Sequence, residues 1–256
     1  MEVLDIGQKS FLKFKNLTHR NVFHFTTTKP GWGKNGQSRF TGDEKESYQS
    51  YREELAKALG VSRQQLIFPR QVHGDRIVVL DCPADHPEVT GTDALITNQR
   101  GICICVQTAD CVPILLYDPQ QQVVAAVHAG WRGTVSKIIA KTIHSMQLRF
   151  DCEPENLIAG IGPSIHYHVY EVGQDVIVQV RENFPNSREL LRPSARDGKA
   201  FFDLWAANKN TMIDSGLKEE NIEIMGLCSW SHEQLFYSAR RDGAATGRMA
   251  TGIMLK

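Results

Sequence analysis

A chain of 256 residues, 41% hydrophobic and 23% charged, is long enough to bury a sizeable core as one large domain or two tightly packed halves. Its 29 Lys and Arg balance 29 Asp and Glu, and that zero net charge argues against a nucleic-acid groove while leaving room for a small basic pocket for one anion. No stretch approaches the roughly 20 apolar residues of a membrane span, and residues 1–15 hold no signal-peptide run, so the six cysteines are expected as thiols in a reducing cytoplasm.

Residues 22–28, rich in β-branched and aromatic side chains, predict a strand, and 29–42, rich in Gly, Pro and polar residues, a loop. Residues 43–59 predict a helix capped by Asp43, with Tyr48, Tyr51, Leu55 and Leu59 near a helical period and Arg52 close to that apolar face. Short strands are expected at 66–72 and 77–80, around His73-Gly74-Asp75, then a polar loop at 82–89 and a strand at 94–97. The most apolar part, 101–128, divides into strands at 102–106, 112–117 and 123–128, covered on both faces. Gly130-Trp131-Arg132-Gly133 then turns the chain into a helix striped by Val135, Ile138, Ile139, Ile143, Met146 and Phe150. A strand at 157–161, a helix at 174–184, a polar loop at 188–200, a helix at 204–215 and a strand at 222–228 follow. No repeat or linker marks a boundary. Strands and helices mix without strict alternation, so the expected class is α+β in a single domain, 1–256.

Three strand-to-turn junctions each carry a metal-binding residue: Gln71-Val72-His73-Gly74, Thr108-Ala109-Asp110-Cys111 and the segment opening at His128. Two imidazoles and a thiolate suit zinc or copper, and three protein ligands leave a fourth position for water, whose pKa falls to about 7 on zinc. The spacing is no compact metal motif. Residue types alone favour a buried structural Cys111 and two hydrogen-bonded histidines. The same residues also compose a cysteine nucleophile, Cys111, with His128 as its base.

After His128, Gly130 and Gly133 allow close backbone approach, the next helix opens with outward amides, and Arg132 adds a fork suited to phosphate. An ordinary strand–helix connection with a solvated Arg132 fits equally. The late basic cluster, Arg240-Arg241-Asp242-Gly243 and Thr246-Gly247-Arg248, could hold an anion, but a solvated tail with surface ion pairs is the reading the residues favour. Cys103 and Cys105 share one face of an apolar strand and read as core.

At these segments the chain resembles the YfiH family, also called the laccase-domain or multicopper polyphenol oxidase family. The resemblance rests on QVHGDRI at 71–77, TDALIT at 92–97, QTADCVPILLYDP at 107–119, AAVHAGWRGT at 125–134, IGPSI at 161–165, YEVG at 170–173, and RRDG and TGR near the end. It implies two mixed sheets packed together with helices outside, and zinc, or alternatively copper, on His73, Cys111 and His128. It implies a catalytic arginine at Arg52, within Tyr51-Arg52-Glu53-Glu54-Leu55, where Tyr51 replaces the family's Asn. Thr27-Thr28-Lys29-Pro30-Gly31, His166-Tyr167-His168 and Ser238-Ala239-Arg240 also depart from commoner versions.

Family members of this kind imply phosphorolysis of adenosine, inosine and methylthioadenosine, and deamination of adenosine. The expected catalytic residues are then Cys111, His73, His128 and Arg52, with Arg132, Gly130, Gly133 and Gln71 holding substrate or phosphate. Other branches imply laccase activity, or removal of mis-incorporated residues from peptidoglycan precursors. A four-copper centre needs several H-x-H pairs and an H-C-H segment. This chain has one H-x-H and no H-C-H, which makes phenol oxidation the secondary expectation.

Overall fold

The apolar run in mid-sequence supplies strands to both of the main sheets. The computed structural model describes residues 1–32, 36–81 and 89–256. Strand Cys103–Thr108 lies in one six-stranded sheet, ordered Glu2–Ile6, Lys9–Lys13, Val22–Thr27, Met249–Leu255, Cys103–Thr108, Leu66–Ile67. Strands Val112–Asp118 and Val123–Ala129 form the middle of a second, ordered Ile222–Ile224, Ile158–Ile161, Val112–Asp118, Val123–Ala129, Ala94–Thr97, Ile77–Leu80. Both sheets are mixed. Leu66 pairs in parallel with Cys103 and Ile77 with Ala94, while the central ladders are antiparallel.

Side chains alternate across each strand, so successive residues enter different cores. Leu115, Tyr117, Val124 and Ala126 meet Ile104, Val106, Met249 and Ile253 between the sheets. Ile114, Leu116, Ala125 and Val127 face the opposite way, onto the helices Ile138–Phe150, Gln174–Asn183 and Leu204–Asp214. Beyond the first sheet, Phe25, Cys103 and Cys105 pack with Phe11, Trp32, Phe40 and Leu55, the last from the helix Glu46–Leu59. Cys103 and Cys105 are therefore core residues, as expected. The architecture is α+β, two mixed sheets face to face with helices outside. No helix among the described residues is long and apolar enough to cross a membrane.

Several local expectations are corrected. The first helix begins at Glu46 rather than residue 43, and Asp43 pairs with Arg70 instead of capping it. Only Leu66–Ile67 of the segment 66–72 joins a sheet. Pro69 lacks a ladder donor, and the rest runs as a loop into the site. The helix after Gly130 is two, Trp131–Val135 and Ile138–Phe150, broken where Lys137 takes φ 60°. The supposed loop at 188–200 contains a short helix, Ser187–Leu190, and the strand Leu191–Pro193. That strand, Ala200–Phe202 and Glu171–Val172 form a third sheet. The predicted strand at 222–228 ends at Ile224. Glu2–Ile6 and Lys9–Lys13 pair as a hairpin where no element was expected. Met249–Leu255, where no element was expected, is a buried strand paired on both sides. Most of the loop expected at 82–89 lies outside the described residues.

His24 gives this packing a pH signature. Its Nε2 accepts a hydrogen bond from the Phe14 amide at 2.9 Å, and its ring stacks on the Phe14 ring. Burial, helped by the nearby Lys13 charge, pushes its pKa down to about 4 from 6.5. Above pH 6.5 the histidine is neutral in both folded and unfolded chains and contributes no slope. Below 6.5 the unfolded chain takes up a proton that the folded chain refuses, so stability falls until about pH 4. The loss from this one group is about 3 kcal/mol. Urea unfolding of wild type and His24→Gln at pH 7 and pH 4 should show the variant losing correspondingly less. Equal losses would refute the assignment.

Candidate metal centre

Asp93, wholly buried at the start of strand Ala94–Thr97, organises two of the three expected ligands. Its Oδ1 accepts from the His73 amide at 2.9 Å and contacts His128 Nδ1 at 2.8 Å. Its Oδ2 accepts from the amides of Gly74 at 2.8 Å and Val72 at 3.2 Å. Three successive amides thus close on one carboxylate, an anion nest that holds His73 at φ 60°. Burial opposes ionisation of Asp93, but His128 and these amides outweigh it and hold the carboxyl below its usual range. With Nδ1 of His128 engaged by Asp93, Nε2 is the ring nitrogen left to bind an ion.

The third expected ligand, Cys111, follows Asp110, which adopts φ 91° between strands Cys103–Thr108 and Val112–Asp118. The ligand atoms of His73, Cys111 and His128 all lie within 4.8 Å of one another, and the two imidazoles meet edge to face. Among the described residues this is the one group of three or more such side chains so arranged. Burial disfavours the Cys111 thiolate, yet the adjacent His128 and His73 bring its pKa down to about 6. Burial likewise opposes the His128 imidazolium, and Cys111 followed by Asp93 raises it to about 9.

Both glycines pack closely against this cluster. A Cβ on Gly130 would sit 3.1 Å from Cys111 Sγ and 3.3 Å from His73 Cδ2. One on Gly133 would sit 2.9 Å from the Gly74 carbonyl oxygen. Neither glycine is among the residues lining the adjoining cavity. The helix they open spans only Trp131–Val135, so its aligned amides provide little field.

The cavity has a volume of about 520 Å³, with His73, Cys111 and His128 in its wall. Gln71 also lines it, but its amide is locked to the backbone of Gln107, donating to O at 2.9 Å and accepting from N at 2.8 Å. Trp131, Ile165, Tyr170 and Leu204 form apolar surface, and Arg132, Arg240 and Arg248 form the basic part. Arg52 is not brought to this wall. Its Nε donates to the Phe40 carbonyl, and its guanidinium lies over the rings of Tyr48 and Phe68. Phe40 in turn donates its amide to the Gln107 side chain, which places Arg52 behind the cavity rather than in it.

The late basic cluster is also corrected. Arg240 and Arg248 face the cavity, whereas Arg241 secures its own segment through Asp242 and the carbonyls of Ser229, Trp230 and Phe236. His166 and His168 stack on each other at 4.6 Å, apart from the cluster. Residue-by-residue reading missed Asp93, Asp110 and Tyr170, although TDALIT, ADC and YEVG contain them.

Residues 25–256 match the family described as multi-copper polyphenol oxidoreductase laccase. A purine nucleoside phosphorylase of Bacteroides thetaiotaomicron is 33% identical over 261 residues, covering 96% of this chain and 97% of that one. Adenosine deaminase RL5, from an unknown prokaryotic organism, is 38% identical over 224 residues, covering 85% of each chain. The crystal structure of YlmD from Geobacillus stearothermophilus superposes with a TM-score of 0.89 at 27% identity, covering 99% of this chain and 98% of that one.

Proposed function

This chain belongs to the laccase-domain YfiH family, and from that premise we propose that it is a metal-dependent purine nucleoside enzyme. Its reactions are phosphorolysis of adenosine, inosine and methylthioadenosine, and deamination of adenosine. One observation carries the reading: two imidazoles and a thiolate converge in the wall of a nucleoside-sized cavity. The names of the two relatives, a phosphorylase and a deaminase, support it.

The donor set fits zinc, with copper as the alternative, and Gly130 keeps the space around Cys111 and His73 clear. When bound, the ion supplies a Lewis acid and an activated water. The chain's own residues do the rest. Asp93 fixes the orientation of His73 and the tautomer of His128. Trp131, Tyr170, Ile165 and Leu204 offer the apolar surface a purine ring needs, and Arg132 offers charge to phosphate. In phosphorolysis a phosphate oxygen bonds to C1′ of the ribose as the glycosidic C–N bond breaks, and the base leaves with a proton. In deamination water replaces the amino group, which departs as ammonia.

The products test this directly. Adenosine with phosphate should give adenine and ribose 1-phosphate, while inosine should form with or without phosphate. No turnover of any nucleoside under either condition would sink the assignment.

A second reading is favoured by the opposed charges of Cys111 and His128: a cysteine hydrolase acting on peptidoglycan precursors, with Cys111 as nucleophile and His128 as base. It differs in requiring no ion. Oxidation of phenols is expected only after copper loading, because Cu²⁺ outcompetes zinc for such ligands.

A further inference from the structure

The chain is neutral overall, yet one part of its cavity wall is strongly basic. Arg132, Arg240 and Arg248 line it, and none has a carboxylate partner among the described residues. The acidic residue in the same wall, Asp110, is already engaged. Its Oδ1 accepts from Ser229 Oγ and its Oδ2 from the Arg240 amide, both at 2.7 Å.

The three guanidinium groups differ in their freedom. Arg132 is exposed, rests 4.5 Å over the Trp131 ring, and its guanidinium makes no hydrogen bond among the described residues. Arg240 gives one N–H to the Glu171 carbonyl at 2.9 Å and lies 5.1 Å over the Tyr170 ring, leaving most of its donors open. Arg248 is half-buried and tied to the carbonyls of Ala244, Thr246 and Gly247, with no carboxylate within ion-pair distance among the described residues. Three guanidinium groups in one cavity wall, none paired with a carboxylate among the described residues, suit an anionic ligand. Two further features fix the aim. Arg241 and Ser238 lock the short helix Ala239–Asp242, and the Asp110 carboxylate ties that helix to the residue preceding Cys111. Tyr170, under the Arg240 guanidinium, lines the same cavity wall as Arg132.

We propose that Arg132 and Arg240 clamp a phosphate group in this cavity, with Arg248 adding charge from behind. The anion site thus joins Arg132, from the glycine-rich turn, to Arg240 and Arg248 of the segment 240–248. This rests on the purine reading for its role in catalysis, but not for binding itself. The phosphate is free orthophosphate in phosphorolysis; the 5′-phosphate of a nucleotide has the same chemistry.

The test uses the metal-loaded full chain. Orthophosphate binding is measured by calorimetry without nucleoside, and steady-state kinetics are measured with adenosine and with adenosine 5′-monophosphate. Arg240→Gln and Arg132→Gln should each weaken phosphate binding and raise its KM roughly ten- to a hundred-fold. Metal content should not change, and the KM for adenosine and phosphate-independent deamination should be affected far less than the KM for phosphate. Arg240→Lys should recover part of the loss, since it keeps the charge and loses the fork. A rise confined to the KM of the nucleotide would identify the substrate's own phosphate as the clamped group. Unchanged phosphate binding in both Gln variants, or no phosphate binding by wild type, overturns the clamp. Wild type that binds phosphate through these arginines but cleaves no nucleoside would overturn the reaction and leave the clamp standing. Both side chains reach solvent, and a thermal melt of each variant shows whether the fold is kept.

Discussion

Cys111→Ser should be recovered with less than about a tenth of the wild-type metal, and phosphorolysis and deamination should fall together by more than about a hundred-fold. Serine nearly matches cysteine in size, so the packing against Gly130 survives the change. What it removes is the anion. The flanking histidines make the Cys111 thiol acidic enough to be largely ionised at neutral pH, whereas a serine hydroxyl stays protonated and is a poor partner for zinc or copper. A cysteine hydrolase would also lose its activity in this variant. The two readings part at His73→Ala, which removes an ion ligand but neither the nucleophile nor its base. The metal account expects loss of ion and activity there as well. Substantial nucleoside turnover in metal-depleted Cys111→Ser would contradict it.

Asp93→Asn should weaken metal binding by about ten- to a hundred-fold, as removal of an orienting carboxylate behind a ligating histidine does elsewhere. Four donors converge on this carboxylate: three amides and His128 Nδ1. An asparagine has one oxygen for them and turns an NH₂ toward the others, so at least one buried donor loses its partner. That should cost about 1–3 kcal/mol of stability as well. Competition with a chelator of known affinity reads the first effect and urea unfolding the second. Metal affinity within two-fold of wild type would show that Asp93 only supports the fold.

How much of this was legible in the sequence depended on how local each signal is. The strands at 112–117 and 123–128 announce themselves because both faces are buried and nearly every residue is apolar. Met249–Leu255 does not. Thr251 and Gly252 interrupt its apolar run, and Gly252 is explained only by Cys105 and Phe25, whose atoms lie within 3 Å of where its Cβ would be. The strand Leu191–Pro193 is three residues long and leaves no periodicity to read. At the site, the three candidate ligands can be named from the motifs that carry them, while their residue types and spacing alone point to a structural role. Gly130 and Gly133 were recognised as positions of close approach, but what approaches is Cys111, His73 and the Gly74 carbonyl. Around Arg240 the residues favour a solvated surface over an anion site, because nothing local reveals that Asp110, distant in sequence, holds its backbone at the cavity.

The most direct test of the central claim pairs metal content with product. Protein stripped by a chelator and reloaded with zinc in steps should release ribose 1-phosphate from adenosine and phosphate in proportion to bound metal, saturating at one ion per chain. Full activity in the stripped protein, with no metal detectable by elemental analysis, would contradict it.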